Sequence, residues 1–259
     1  MLKSLAVNFY KILLIDIKIM YESYIQKNKE LNKFGYCIVN IGHKIFLEKL
    51  RKKWITLFNN ISSQMHGVKV KNDQDLIKLE KSKFKKAFVA VFDLIHMDPE
   101  IYKLASDKKM LNIYKKLGVK YPHYGTRPIT RVDLPKDKKH SFFDVHQDFP
   151  YNKHSKNSLV VWIPLMDTGQ KEGCLEVCPK SHTEKKIFEK KKNSMLIKNP
   201  SKFEFTKTKV KLGEALIFSQ FLVHRSGTNT SNKIRFSLQL RVTDLLSKEY
   251  MERFYPVIK

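Results

Sequence analysis

Leu159-Val160-Val161-Trp162-Ile163-Pro164-Leu165 is the clearest of a series of short β signals in the second half of the chain. Ile129-Thr130-Arg131-Val132-Asp133-Leu134 precedes it, and further β runs follow over 174–177, 204–211, 215–218 and 234–245. Pro135, Gly169, Gly173, Pro179, Gly213 and Gly227 separate them as turn residues. Many short strands without helices between them predict two facing sheets, a sandwich or jelly roll, rather than a parallel α/β sheet. A metal ion fits between two such sheets.

Upstream the pattern changes near Tyr121-Pro122. Residues 1–30 have helical spacing, with Leu2, Leu5, Phe9, Leu13, Ile17 and Met20 on one face. Residues 35–41 form a short β-like run. Helical spacing returns over 45–61 and, in two or three lysine-rich pieces, over 71–117. Asp98 reads as an N-cap with Pro99 at the first helical position. The expected fold is therefore α+β, mainly β. Helices of residues 1–120 pack around a double-stranded β-helix (a cupin-like jelly roll) of residues 121–259, and the two act as one unit.

The chain of 259 residues carries 50 Lys+Arg against 25 Asp+Glu, a net charge of +25. Such an excess attracts anions. The lysines are spread along the whole chain, however, as compositional drift would leave them, so charge alone supports no specific nucleic-acid partner. Three cysteines make no disulfide framework and fit a reducing, cytoplasmic setting. Lys3, Lys11, Asp16 and Lys18 interrupt the apolar N-terminus, so no transmembrane segment is expected there. The oligomeric state is not written in the sequence.

The chemistry centres on Ser141-Phe142-Phe143-Asp144-Val145-His146-Gln147-Asp148-Phe149-Pro150-Tyr151. In extended chain, residues i and i+2 share a side, so His146 and Asp148 can reach one metal. His224 would complete a two-His, one-carboxylate triad, the usual signature of non-haem Fe(II) oxygenases. The spacing alone is weak, because His96-Met97-Asp98 has it too. That second pair lies in the helical half, where i and i+2 diverge, and Asp98 is better used as a cap. Arg235 lies eleven residues beyond His224, between Ile234 and Phe236. An arginine in an apolar strand needs an anionic partner. A protein carboxylate and a bound dicarboxylate both satisfy it.

Several segments in order give the chain its resemblance to the phytanoyl-CoA dioxygenase family of Fe(II)/2-oxoglutarate oxygenases. They are Arg131-Val132-Asp133-Leu134-Pro135, His146-Gln147-Asp148, Trp162-Ile163-Pro164-Leu165 and the run from Gly173 to His182. Gly213-Glu214-Ala215, His224-Arg225-Ser226-Gly227-Thr228-Asn229 and Arg235-Phe236-Ser237 complete the set, which covers roughly 121–245. The family commonly has Pro-Gly-Ser-His where this chain has Pro179-Lys180-Ser181-His182.

The resemblance implies that His146, Asp148 and His224 hold Fe(II) and that Arg235 grips the far carboxylate of 2-oxoglutarate. Ser226 and Ser237 would help, and Trp162 would lie near the cosubstrate. Gln147 and Asn229 match polar positions beside the ligands, while His182 reads as part of a turn. Tyr151, His154 and Arg131 are further pocket candidates. The implied reaction uses O2 to hydroxylate an aliphatic C–H of a small-molecule substrate and releases succinate and CO2. The rival is a non-catalytic β-sandwich that binds an acidic ligand or polymer through its basic surface.

Overall fold

A computed structural model describes residues 23–136, 143–183, 187–191 and 196–254. The helical reading of residues 1–22 and the start of the His146 stretch, Ser141-Phe142, lie outside the described residues.

Helix α1 covers residues 23–34 and runs into strand β1 (Tyr36–Asn40). Helix α2 (Lys44–His66) follows, then α3 (Asp73–Lys81), α4 (Lys85–Leu94), a 3-10 turn (Ile95–Met97), α5 (Pro99–Ala105) and α6 (Lys108–Lys116). The region 71–117 is thus cut more finely than its spacing suggested. The cuts fall where polar side chains cap helices. Asn72 accepts from Asp75 N at the start of α3, Asp98 from Glu100 N at α5, and Asp107 from Lys109 N at α6. Each cap satisfies a helix N–H that has no partner within the helix.

The β half forms two antiparallel sheets. The larger runs β1, β7 (Glu214–Ser219), β4 (Leu159–Pro164) and β9 (Arg235–Asp244), with β2 (Pro122–Tyr124) and β3 (Ile129–Asp133) both pairing the far side of β9. The smaller is β6 (Thr206–Lys207), β5 (Glu176–Val177) and β8 (His224–Arg225), extended by a bridge between His146 and His224. The fold is a jelly roll with helices packed on its larger sheet. Of the runs expected at 174–177 and 204–211, two residues of each pair as strand. Within the second run, Val210 adds a lone bridge to Thr168. The helical half also supplies β1, so the sheet draws on both sides of the change near residue 121.

Alternation along the strands divides the core. On β4, Leu159, Val161 and Ile163 join the cluster shared with the helices, while Val160 and Trp162 face the inside of the roll. A strand buried on both faces reads as an unbroken apolar run, and for that reason 159–165 stood out. On β9, Phe236, Leu238, Leu240 and Val242 face the helices. Period two then turns Arg235, Ser237, Gln239 and Arg241 into the roll. On the helical side Leu47, Leu50, Trp54 and Phe58 are buried along one stripe of α2. Trp54 meets Phe236 with ring centroids 5.9 Å apart, and its Nε1 donates to Asp98 Oδ2 at 2.9 Å. Asp244 fastens the two halves, accepting from Lys120 N, Tyr121 N and Asn157 Nδ2. Among the described residues no helix is long and apolar enough to cross a membrane.

Candidate metal centre

His146 and His224 are brought together by backbone. Each donates its N–H to the other's carbonyl at 3.0 Å, an antiparallel pair that sets both side chains on one side. Their ring centroids are 4.1 Å apart. Asp148 reaches the same spot by another route than expected. It sits in helical backbone (φ −78°, ψ −27°) at the entry to the one-turn helix α7 (Phe149–Asn152), not in extended chain. Its Oδ1 still lies 3.9 Å from His146 Nε2. One ligand atom from each of His146, Asp148 and His224 lies within 4.8 Å of the others, and all three residues are buried.

The outer contacts suit a cation. His146 Nδ1 lies 2.7 Å from Asp144 O, and His224 Nδ1 lies 3.0 Å from Leu222 O. A carbonyl only accepts, so each ring carries its proton on Nδ1 and keeps the Nε2 lone pair for a metal. Burial, with the neighbouring His224, lowers His146 to about 3, and burial also lowers His224. Both rings are therefore neutral, as ligands must be. Burial pushes Asp148 up, but Arg241, His224 and His146 outweigh it and hold the carboxyl at about 2. Two neutral imidazoles and one carboxylate on one side of a site fit iron with open positions.

A cavity of about 250 Å³ opens over this triad. Phe143, 4.2 Å from His146 between ring centroids, and Tyr151 form an aromatic wall. Trp162, Ser226 and Arg235 line the cavity, as does Arg131. Arg235 is 1 % exposed and lies with its guanidinium 5.8 Å from the Trp162 ring. Its Nε and Nη2 donate to Asp133 Oδ2 at 3.1 and 2.6 Å, and its Nη1 to Glu172 O at 3.3 Å. The protein-carboxylate partner left open by the sequence is thus Asp133. Arg131 Nη2 donates to the same carboxylate at 3.0 Å. Burial raises Asp133, but the two guanidiniums outweigh it and hold it ionised.

Other candidates stand elsewhere. Gln147 does not line the cavity. Its Nε2 donates to Phe221 O at 2.6 Å and its Oε1 accepts from Phe188 N at 3.0 Å, a clamp between two loops. Asn229 likewise holds a loop, donating to Asp133 O and Lys233 O. Ser237 lies on the inward face of β9, yet its Oγ has no partner among the described residues. His154 is buried against Tyr250, and His182 Nε2 bonds Asn32 O at the turn. The loop carrying Ser226 is fixed by close backbone packing. At Gly173 (φ +72°) a Cβ would lie 2.6 Å from Gly227 O, which a side chain does not tolerate. Gln239, Asn152 and Arg241 line the cavity and were not singled out from the sequence. The alternation of β9 carried the signal for two of them, since Arg235, Gln239 and Arg241 share parity.

A jelly roll with a His-Asp-His cluster inside it is the frame of a mononuclear non-haem iron enzyme. The profile of the phytanoyl-CoA dioxygenase (PhyH) family matches residues 76–237. The chain belongs to this family of Fe(II)/2-oxoglutarate-dependent oxygenases. Among curated proteins none matches by sequence. Solved structures with the same fold include EctD from S. alaskensis with 2-oxoglutarate and 5-hydroxyectoine (16 % identity, TM-score 0.57, covering 86 % of this chain and 76 % of that one). Another is the epimerase SnoN in complex with Fe3+, alpha ketoglutarate and nogalamycin RO (15 %, 0.53, 86 % and 84 %). A third is the alpha ketoglutarate dependent carbocyclase SnoK from nogalamycin biosynthesis (16 %, 0.54, 85 % and 83 %). At such identities the likeness carries the fold.

Proposed function

We propose that the protein is an Fe(II)- and 2-oxoglutarate-dependent dioxygenase that hydroxylates an aliphatic C–H of a small, anionic metabolite. The observation that carries this reading is the triad itself: His146 and His224 with Nε2 lone pairs free, beside an ionised Asp148. These three residues would hold the iron and leave its other positions open. When bound, iron with 2-oxoglutarate and O2 supplies the oxidising power: one oxygen atom enters the product and the other enters succinate as CO2 leaves.

The chain's residues do the rest. Arg235, oriented by Asp133, takes the far carboxylate of 2-oxoglutarate against Trp162 and Ser226. The guanidinium of Arg235, fixed by Asp133 and lining the cavity, supports that role. Phe143 and Tyr151 keep water from the reacting carbon. Asp148 fills the carboxylate position that a halogenating enzyme would leave to chloride, which favours hydroxylation. Epimerase and carbocyclase among proteins of the same fold mark the other outcomes that a product analysis must distinguish.

Anaerobic addition of Fe(II) and 2-oxoglutarate tests the reading. The expected result is a visible metal-to-ligand charge-transfer band that needs both components. Its absence from folded wild-type protein would sink the proposal.

A further inference from the structure

The mechanism above leaves one buried cation without a task. Arg241 is 9 % exposed and projects from β9 into the cavity, two residues past Gln239. Its Nη2 donates to Asp148 Oδ1 at 3.2 Å and to Gln239 Oε1 at 3.4 Å. Its Nε and Nη1 are buried and have no hydrogen-bond partner among the described residues. Nε carries one N–H and Nη1 two, so three of the five guanidinium donors are unused. Leaving them so is costly, because a buried donor loses its water without gaining an acceptor. Asp148 cannot take them, since its charge is committed to the metal. Arg235 differs: all three of its nitrogens have acceptors.

We infer that Arg241 is the residue that recognises the substrate, by binding its carboxylate. This rests on the oxygenase reading and narrows its substrate class to small carboxylic acids. Three observations agree. The unused donors belong to a side chain that lines the cavity beside Tyr151 and Asn152. Arg241 and Arg235 lie six residues apart on one strand face, so they serve opposite ends of the cavity rather than one carboxylate. The cavity, about 250 Å³, is at the small end for ligand sites and, shared with 2-oxoglutarate, leaves room for a short acid only. Because Arg241 touches the carboxylate that holds the metal, an acid gripped by it has its first few carbons next to the metal. Oxidation then falls on a carbon close to the acid group.

Calorimetric titration of the anaerobic Fe(II)/2-oxoglutarate-loaded protein with butanoate, and with its neutral isostere butanamide, tests this. With 2-oxoglutarate bound, Arg235 is occupied and cannot supply the response. Butanoate is expected to bind at least about ten-fold more tightly than butanamide, as a charge-assisted contact requires. Arg241→Gln should lose at least about ten-fold in butanoate affinity, with its own charge-transfer band recorded alongside to show that the metal site is loaded. Equal binding of the two probes, no butanoate binding to the wild type, or wild-type butanoate affinity in Arg241→Gln would each overturn the inference. The wild-type comparison of acid and amide needs no variant to fold. A missing charge-transfer band would instead count against the oxygenase reading. The butanoate arm is then read on metal-free protein as the difference between wild type and Arg241→Gln, since Arg235 is open to butanoate equally in both.

Discussion

His96-Met97-Asp98 and His146-Gln147-Asp148 have the same spacing and opposite fates. In the helical half, a 3-10 turn carries His96, whose Nδ1 accepts from Thr130 N at 2.9 Å. Asp98 caps α5 and takes Lys53 and Trp54 as partners. The ring ties the turn to β3 and the carboxylate ties α2 to α5, so both are consumed by structure. In the β half, backbone carbonyls take only the Nδ1 side of each ring, and Arg241 takes one oxygen of Asp148. The remaining lone pairs converge. What separates a candidate ligand pair from a structural pair is where the lone pairs are spent.

Exchanging the aspartates should break the comparison most sharply. Asp148→Ala is expected to abolish the charge-transfer band and succinate release, because it removes the proposed carboxylate ligand, and to lower stability as well, because it leaves the buried Arg241 without its partner. Asp98→Ala should leave the band intact and cost about 2 kcal/mol of unfolding free energy, from a lost cap and a lost bond to the buried Trp54. The exposed end of the Lys53 pair adds little. Urea unfolding beside the Fe(II) titration measures both. A weaker band in Asp98→Ala would show that the two pairs are not independent.

A smaller effect is expected at Asp133. Asp133→Asn keeps the shape but not the charge that orients Arg235, so 2-oxoglutarate affinity should fall roughly 10- to 100-fold while Fe(II) affinity holds. Equal loss of both would place Asp133 in folding rather than in cosubstrate binding.

The smallest effect concerns pH. Burial lowers His96, with Arg127 adding to it against Asp93, so the folded state prefers the neutral ring. The stability this contributes is complete above the unfolded value of about 6.5 and is lost as pH falls through the lowered folded value. His96→Gln should therefore flatten part of the acid side of the stability profile when compared with the wild type in the same metal state. An unchanged slope would remove His96 as a contributor.

Strand β4 was legible because it is buried on both faces, and β9 was legible as a strand for the same reason. Its inward polar series could have been read further, since Gln239 and Arg241 share the parity of Arg235. Gln147 shows the opposite failing: adjacency to a ligand suggested a role, but neighbours along a chain point apart, and its amide clamps Phe188 and Phe221. The Asp133–Arg235 pair was not legible, because the register between β3 and β9 is set only when the sheet forms. Nor was the place of Tyr36–Asn40, whose partner lies far along the chain.

That last pairing governs when the protein can become itself. During synthesis α2 through α6 emerge long before residues 214–218, so β1 waits with its ladder groups unmatched until the strand leading to His224 is made. Such distant pairing makes for slow closure. The metal site is finished in the same late step, since His224 arrives on the turn after β7. A nascent chain that already displays His146 and Asp148 therefore has only part of the candidate cluster. The waiting strand marks the interval in which the young chain most needs protection from its neighbours.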